Sequence, residues 1–179
     1  RVGEAVKELA LLMNCPVIQT SGGTSYIKGI EDRTFQYVFQ DCTLEAVEES
    51  DLVVALGTEL GEPVHYGRWR WWQKNEGIRK WIYVEQDPYA IGVNRPIDVP
   101  LVGDLRGVVP QLVAALKNTP RKPAPLLEKY MKEGQAEIES WAQESLKKSD
   151  GTGGTPIHTS RFVVEATKAF PKDGILIRD

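Results

Sequence analysis

The stretch DLVVALG, residues 51–57, decides the fold class of this sequence. Five consecutive apolar residues stand between an aspartate and a glycine. A short apolar run bounded in this way is typical of a strand that is covered on both faces, as strands of parallel sheets are. Two similar runs follow, KWIYV at residues 80–84 and VPLV at residues 99–102. The sequence therefore predicts several buried, parallel strands.

Helical patterns separate these strands. Apolar residues recur at helical spacing over residues 2–13, with Asn14 as the predicted end, and again over residues 105–116. Thr43 is positioned to cap a helix that runs to Glu49. A short strand is predicted at Pro16–Gln19, whereas residues 24–40 are weakly patterned. Alternating strands and helices predict an α/β fold with a doubly wound, parallel, Rossmann-like sheet.

The rest of the chain has a different organisation. Residues 118–125 contain three prolines, and a long polar helix with few apolar positions is predicted over residues 126–148. After a glycine-rich break, Thr159 is positioned to cap a helix over residues 160–170. Residues 175–179 are apolar enough for a buried strand, so we expect the chain to be a piece of a longer protein.

These patterns divide the chain into three parts. The predicted parts are a central domain, a linker with a long helix, and the first helix and strand of a second α/β domain. Their boundaries are 1–118, 119–155 and 156–179.

Composition excludes several functions. The 179 residues include 22 basic and 25 acidic side chains, so the net charge of −3 provides no general attraction for nucleic acid. No apolar stretch approaches the roughly 18 residues that a membrane span needs. The two cysteines, Cys15 and Cys42, form no disulfide framework, and we expect a reducing, cytoplasmic compartment.

Polar residues and glycines follow the predicted strands. In an open parallel sheet, ligands bind outside the carboxyl ends of the strands. Glycine there allows close approach of a ligand, and a carboxylate can accept hydrogen bonds from ribose hydroxyls. The alternative is that Asp87 and Asp104 cap the helices that follow them. The predicted cofactor-binding residues are Gly57, Glu85, Gln86, Gly103 and Asp104.

Catalytic and metal-binding residues are not predicted within this chain. His65 and His158 have no second histidine or cysteine at metal-ligand spacing, so a structural or solvated role is favoured for both. Ser21 and Ser25 lack the surroundings of a nucleophile elbow. The sequence also lacks a phosphate-binding glycine motif, and the evidence for a nucleotide site is therefore topological.

The most unusual stretch is GRWRWW, residues 67–72. Tryptophan and arginine together are enriched at the centres of protein interfaces. We expect Trp69, Trp71 and Trp72 to contact a neighbouring domain or subunit, with Arg68 and Arg70 flanking the contact. Folding of the rings into their own domain is one alternative, and a wall of a substrate or cofactor site is another.

Three segments together resemble thiamine-diphosphate-dependent enzymes of the acetolactate synthase type. They are ESDLVVALGTEL at 49–60, WIYVEQDPYAIG at 81–92, and PIDVPLVGD at 96–104. All three resemble the central domain of that family, in the same order. Residues 156–164 resemble the opening of its pyrophosphate-binding domain.

The resemblance implies a longer enzyme with pyrimidine-binding, central and pyrophosphate-binding domains. Thiamine diphosphate and magnesium would be held outside this chain, which would lack the first strand of its central domain and catalyse nothing alone. The full enzyme would act on a 2-keto acid or related acyl substrate, as a homodimer or homotetramer. An adenine-nucleotide-binding regulatory module is the alternative function. A deacetylase-type enzyme that consumes NAD is disfavoured by the scarcity of cysteine and histidine.

The resemblance also bears on a second cofactor, since central domains of this family hold FAD, ADP or nothing. Residues 34–42 differ from the loop of FAD-binding members, and Glu59 stands where those members have arginine. Both departures argue against FAD. Glu85 replaces the usual aspartate and keeps a carboxylate, so ADP and an empty site both stay open.

Overall fold

A computed structural model describes residues 2–23, 27–37, 41–120, 124–149, 157–171 and 173–174. The chain divides into two compact units, Arg1–Gly134 and Gln135–Asp179. The predicted strand at 175–179 lies outside the described residues, and the three-part division at 118 and 155 stays a prediction.

The described helices and strands alternate along the first unit, as the sequence predicts. The strands are β1 Val17–Gln19, β2 Thr34–Gln36, β3 Leu52–Leu56, β4 Lys80–Glu85 and β5 Val99–Val102. The α-helices are α1 Val2–Met13, α2 Asp41–Glu49, α3 Arg70–Gln73, α4 Leu105–Leu116, α5 Pro125–Ser149 and α6 Thr159–Ala169. Short 3-10 segments lie at Ser21–Gly23, Glu31–Arg33, Glu62–Gly67 and Pro88–Ala90.

All described strand pairs are parallel. β1 pairs with β2, and β3, β4 and β5 form a three-stranded sheet with β4 in the middle. Strand β2 lies in the segment where the sequence pattern is too weak to predict a strand. The parallel α/β fold class is confirmed.

Helices cover both faces of the three-stranded sheet. Ala55 belongs to a core cluster that includes residues of α2 and α3, whereas the next residue, Leu56, packs against the cluster between α1 and α4. Successive side chains of a strand point to opposite faces, so these two clusters lie on opposite sides of the sheet. The central strand is the most buried, with Trp81, Tyr83 and Val84 each at most 1% exposed. This arrangement is the predicted double winding.

Two predicted helix caps are wrong. Helix α2 begins at Asp41, so Thr43 lies inside it and is fully buried. The cap of α6 is His158, whose Nδ1 accepts a hydrogen bond from the Ser160 N–H at 3.2 Å. An imidazole nitrogen serves here as the acceptor that serine or aspartate more commonly provides. The predicted end of α1 is confirmed by Asn14, which has a positive φ of 53°.

The first part of α5 packs onto the first unit. Tyr130 joins a buried cluster with Phe35 and Cys42. Gly134 allows the close approach, because a Cβ there would lie 2.8 Å from Phe35 Cδ1 and 3.1 Å from Cys42 Sγ. Ile138 and Trp141, farther along the helix, are 48% and 70% exposed. As predicted, α5 is not buried all round. No described helix is both long and apolar enough to cross a membrane.

Candidate functional site at the carboxyl edge of the sheet

The five predicted cofactor-binding residues lie at one edge of the three-stranded sheet. Register places Leu56 beside Val84, and Glu85 beside Val102. The ladder continues past the strand ends, since Gly57 N–H donates to the Val84 carbonyl and Gly103 N–H donates to the Glu85 carbonyl, both at 2.9 Å. We call the residues that end or follow these strands, 57–60, 85–89 and 103–107, the carboxyl edge. The predicted loop Thr20–Gly23 follows β1, which pairs with β2 instead.

The two glycines of the edge have a packing role. Gly57 has a φ of 57°, and a Cβ there would lie 3.1 Å from Leu105 Cδ1. A Cβ at Gly103 would lie 2.9 Å from Val108 Cγ2. Both glycines therefore let α4 pack close to the strand ends. This packing accounts for glycine at both positions without a ligand.

Glu85 is held by its own backbone. Its Oε1 accepts hydrogen bonds from the N–H groups of Gln86 at 2.7 Å and Asp87 at 3.2 Å. The Tyr83 hydroxyl donates to the Thr58 carbonyl at 2.7 Å and lies 3.4 Å from Glu85 Oε2. Burial, followed by the charge of Glu85, raises the pKa of Tyr83 to about 12. Tyr83 therefore stays a neutral hydrogen-bond donor below this edge.

The two aspartates of the edge are helix caps. Asp87 accepts a hydrogen bond from the Tyr89 N–H at 2.9 Å, at the start of a 3-10 turn. Asp104 accepts from the Arg106 N–H at 2.7 Å and pairs with its guanidinium at 2.6 Å. The side-chain hydrogen bond from Arg106, with the backbone bond second, lowers the pKa of Asp104 to about 2. The capping alternative is thus what the structure shows, while a ligand-binding role stays a prediction.

Negative charge dominates the carboxyl edge. Its acidic residues are Glu59, Glu85, Asp87 and Asp104, and its one basic residue in the sequence is Arg106. That arginine is already paired with Asp104. Such an edge can accept hydrogen bonds from hydroxyl groups, but it offers little to balance a diphosphate.

A model of the family described as "Thiamine pyrophosphate enzyme, central domain" matches residues 1–112. The chain belongs to this family. The match confirms the resemblance that the three sequence segments carry, and it covers all five strands and the carboxyl edge.

Several relatives of this thiamine pyrophosphate central domain are named acetolactate synthase. The one from Mycobacterium bovis (strain ATCC BAA-935 / AF2122/97) is 32% identical over 118 residues, which are 64% of this chain and 18% of the relative. The large subunit from Porphyra purpurea is 32% identical over 146 residues, covering 78% and 23%. The large subunit from Haemophilus influenzae (strain ATCC 51907 / DSM 11121 / KW20 / Rd) is 24% identical over 172 residues, covering 94% and 28%. The chain thus spans less than a third of the length of these relatives.

The tryptophan cluster of this central domain is divided between core and surface. Trp72 is 6% exposed, and its indole N–H lies 2.9 Å from the Tyr37 hydroxyl and 3.1 Å from the Val64 carbonyl. Its ring lies 5.1 Å from the ring of Trp81. The prediction that Trp72 contacts a partner is wrong, because α3 turns this side chain into the sheet's core.

Trp69 and Trp71 are different. Trp69 is 53% exposed, and Trp71 is half-buried beside the core. The His65 ring lies 5.2 Å from both indoles, and its Nδ1 is 3.1 Å from the Tyr37 hydroxyl. His65 is therefore part of an aromatic cluster, in agreement with its predicted structural role. An interface role for Trp69 stays a prediction.

Two arginines are buried in the core, which the sequence pattern does not predict. Arg79 and Arg95 are each 4% exposed. Arg79 donates to the carbonyls of Val47 at 2.7 Å and Trp72 at 2.5 Å. Arg95 donates to the Gly67 carbonyl, and its guanidinium lies 3.7 Å from the centre of the Trp81 ring. Burial lowers the pKa of both side chains. Arginine is mostly exposed in proteins, so burial of these two side chains cannot be predicted from residue type.

Proposed function

We propose that this chain supplies the central domain of a thiamine-diphosphate-dependent enzyme of the acetolactate synthase type. That enzyme would make or break a carbon–carbon bond of a 2-keto acid or a related acyl substrate. The family match over residues 1–112 carries the proposal, and the names of the relatives support it. Because the aligned part is between 18% and 28% of those relatives, we place the reaction in a longer polypeptide and propose that this chain alone is non-catalytic.

The chemistry of such an enzyme belongs to its cofactor. When bound, thiamine diphosphate would stabilise negative charge on the carbon atom of the substrate's keto group. The resemblance assigns the residues that hold it, and its magnesium, to the two flanking domains. Within the described residues, no cluster of three or more His, Cys, Asp or Glu side chains is arranged to hold a metal ion. The contribution of this chain would be a folded domain that docks against its neighbours.

FAD, which the resemblance associates with many central domains, does not fit the residues present here. The carboxyl edge, where open parallel sheets bind their ligands, carries Glu59, Glu85 and Asp87, and its one arginine, Arg106, is paired with Asp104. Carboxylates without a balancing cation disfavour an anionic ligand. We therefore propose that the central domain holds no flavin. The absorbance spectrum of the purified full-length protein tests this proposal. A stoichiometric flavin absorption band in the blue region of the visible spectrum would overturn it.

One observation keeps the adenine-nucleotide module as a second candidate. The Glu85 carboxylate is fixed by two backbone N–H groups, and a fixed carboxylate is suited to accept two ribose hydroxyls. Gly57, Gln86, Gly103 and Asp104 would surround that ligand. Calorimetric titration of the wild type and the Glu85→Gln variant with adenosine and with ADP shows whether the edge binds a nucleotide through Glu85. Adenosine binding that is lost in the variant would support a nucleoside site, and no binding would remove this candidate.

Activity measurements test the principal proposal. The full-length protein should release carbon dioxide from pyruvate or another 2-keto acid only when thiamine diphosphate and magnesium are both present. The 179-residue chain should show neither that activity nor calorimetric binding of thiamine diphosphate. Micromolar binding by the chain alone would contradict the assignment of the cofactor site to other domains. A full-length protein that is inactive on a panel of 2-keto acids would contradict the proposed reaction.

A further inference from the structure

Three side chains and one backbone carbonyl form a hydrogen-bond network in the aromatic cluster around His65. The Trp72 indole N–H lies 2.9 Å from the Tyr37 hydroxyl and 3.1 Å from the Val64 carbonyl. The Tyr37 hydroxyl lies 3.1 Å from His65 Nδ1 and 3.3 Å from the same carbonyl. We call these four groups the tyrosine network. Tyr37 and Trp72 are 4% and 6% exposed, whereas His65 is half-buried, so the imidazole is the side chain of the network that solvent reaches most readily.

The hydrogen atoms of the tyrosine network have two complete arrangements. The indole N–H only donates, and a carbonyl oxygen accepts up to two hydrogen bonds. Burial raises the pKa of the Tyr37 hydroxyl, which therefore keeps its single hydrogen at neutral pH. In the first arrangement, that hydrogen points to His65 Nδ1. In the second, Nδ1 carries a hydrogen and donates it to the Tyr37 oxygen, while the hydroxyl hydrogen points to the Val64 carbonyl. Each group has a partner in both arrangements, and the heavy atoms stay in place.

We propose that protonation of His65 switches the tyrosine network from the first arrangement to the second. The neutral ring carries its hydrogen on Nε2 and accepts from the Tyr37 hydroxyl through Nδ1. The proton taken up from solvent binds Nδ1, and the hydroxyl rotates toward the Val64 carbonyl. Histidine is the residue type that ordinarily changes its charge between roughly pH 5 and 8, which makes it suited to this role.

The backbone around His65 is fixed, so the switch is confined to hydrogen positions and charge. His65 and Tyr66 have positive φ values of 52° and 55°. Such values are unfavourable for residues other than glycine, and they persist only where the surroundings fix them. The N–H groups of Val64 and Tyr66 both donate to the Gly61 carbonyl, at 3.2 and 2.9 Å.

The positive charge that His65 gains lies beside two indoles. The centre of its ring is 5.2 Å from those of Trp69 and Trp71, within the range over which an indole attracts a cation. The Arg70 guanidinium lies 4.8 Å from the centre of the Trp71 ring and opposes a second positive charge there. Trp69 is 53% exposed, so the surface around it becomes more positive as His65 is protonated.

Few other ionisable groups surround the imidazole. Among the described residues, Tyr37 is the titratable side chain in contact with it. The other titratable or charged neighbours within five residues in the chain are Glu62, Tyr66, Arg68 and Arg70. Two arginines and one glutamate leave no excess of acid in this segment, so the switch is assigned to His65 itself.

Nuclear magnetic resonance of the 179-residue chain tests the switch. The Trp72 indole N–H bonds to both acceptors whose hydrogens rearrange, so its resonance should shift between about pH 8 and pH 5 with the same midpoint as the His65 imidazole. Trp141 in the second unit is the internal control, and its indole resonance should not follow that midpoint. Proton–nitrogen spectra of the imidazole should show His65 Nδ1 without hydrogen at the higher pH and with hydrogen at the lower. Nδ1 that carries hydrogen at both pH values would overturn the proposal.

Matched variants separate the two histidines of the chain. His65→Asn tolerates a positive φ and supplies an amide oxygen as acceptor, but it takes up no proton, so the pH-dependent shift of Trp72 should be lost. His158→Asn should leave that shift unchanged.

Tyr37→Phe removes the hydroxyl that joins Trp72 to the imidazole. His65 should still titrate in this variant, while the Trp72 resonance should no longer follow it. Circular dichroism shows whether each variant is folded, and His65→Asn decides alone if Tyr37→Phe is not. A Trp72 resonance that is constant in the wild type, or that keeps its shift in a folded His65→Asn or Tyr37→Phe variant, would overturn the proposal.

Discussion

Replacing Trp72 by alanine should remove a large part of the stability of the first unit. The side chain is 6% exposed and packs against Tyr37 and Trp81. A buried tryptophan covers on the order of 200 Å², and at about 25 cal/mol per Å² its burial contributes roughly 5 kcal/mol as an upper estimate. Measured truncations of this kind cost about 3–5 kcal/mol. We expect the free energy of unfolding to fall by about 4 kcal/mol, close to the whole stability of many domains.

Urea denaturation followed by circular dichroism measures this loss. Trp69→Ala is the matched control, because it removes the same side chain from a position that is 53% exposed and should cost at most about half as much. The comparison must be made at a protein concentration at which both variants are monomeric. If Trp72→Ala were no more destabilising than Trp69→Ala, the assignment of Trp72 to the core would be refuted.

Two further perturbations test packing and charge. Gly134→Ala should lower the free energy of unfolding by about 1–3 kcal/mol, because the added methyl group would press on Phe35 and Cys42. Gly107→Ala in α4 places its methyl group in open space and should raise the free energy of unfolding, by at most about 1 kcal/mol. Equal effects of the two in chemical denaturation would contradict the close contact of α5. The pKa of Asp104 is about 2 in the folded chain, against roughly 3.9 for an unfolded aspartate, so its stabilising effect is present above about pH 4 and is lost as the pH falls through 2. The difference in melting temperature between wild type and Asp104→Asn should therefore shrink over that range, and a difference independent of pH would contradict the assigned pairing.

The sheet and its carboxyl edge were predictable because the signals are local. Strands β3, β4 and β5 are apolar runs, and parallel strands bring their carboxyl ends to one edge whatever the details of the loops. The sequence alone therefore predicts that Gly57, Glu85 and Gly103 lie close together. Strand β2 could not be predicted, because Thr34–Gln36 is only three residues long. Its strand conformation depends on pairing with β1, which is distant in sequence.

The role of the tryptophans depends on geometry that the sequence does not contain. Trp71 and Trp72 are adjacent, yet the direction of the single turn α3 buries one and leaves the other at the margin of the core. Arg95 is buried with its guanidinium over the Trp81 ring. Neither the direction of a four-residue helix nor a buried cation can be inferred from composition and periodicity.

Arg79 has a consequence for the order in which the domain assembles. The last carbonyls of a helix have no partner within that helix. Here the Val47 and Glu48 carbonyls at the end of α2 receive hydrogen bonds from Arg79, which lies 32 and 31 residues farther along the chain. A cap of this kind cannot exist in the isolated helix. The Ser50 hydroxyl also donates to the Val47 carbonyl, at 2.8 Å. We therefore expect the last turn of α2 to be more stable once the segment with Arg79 has docked, so that a long-range folding event completes a local helix end.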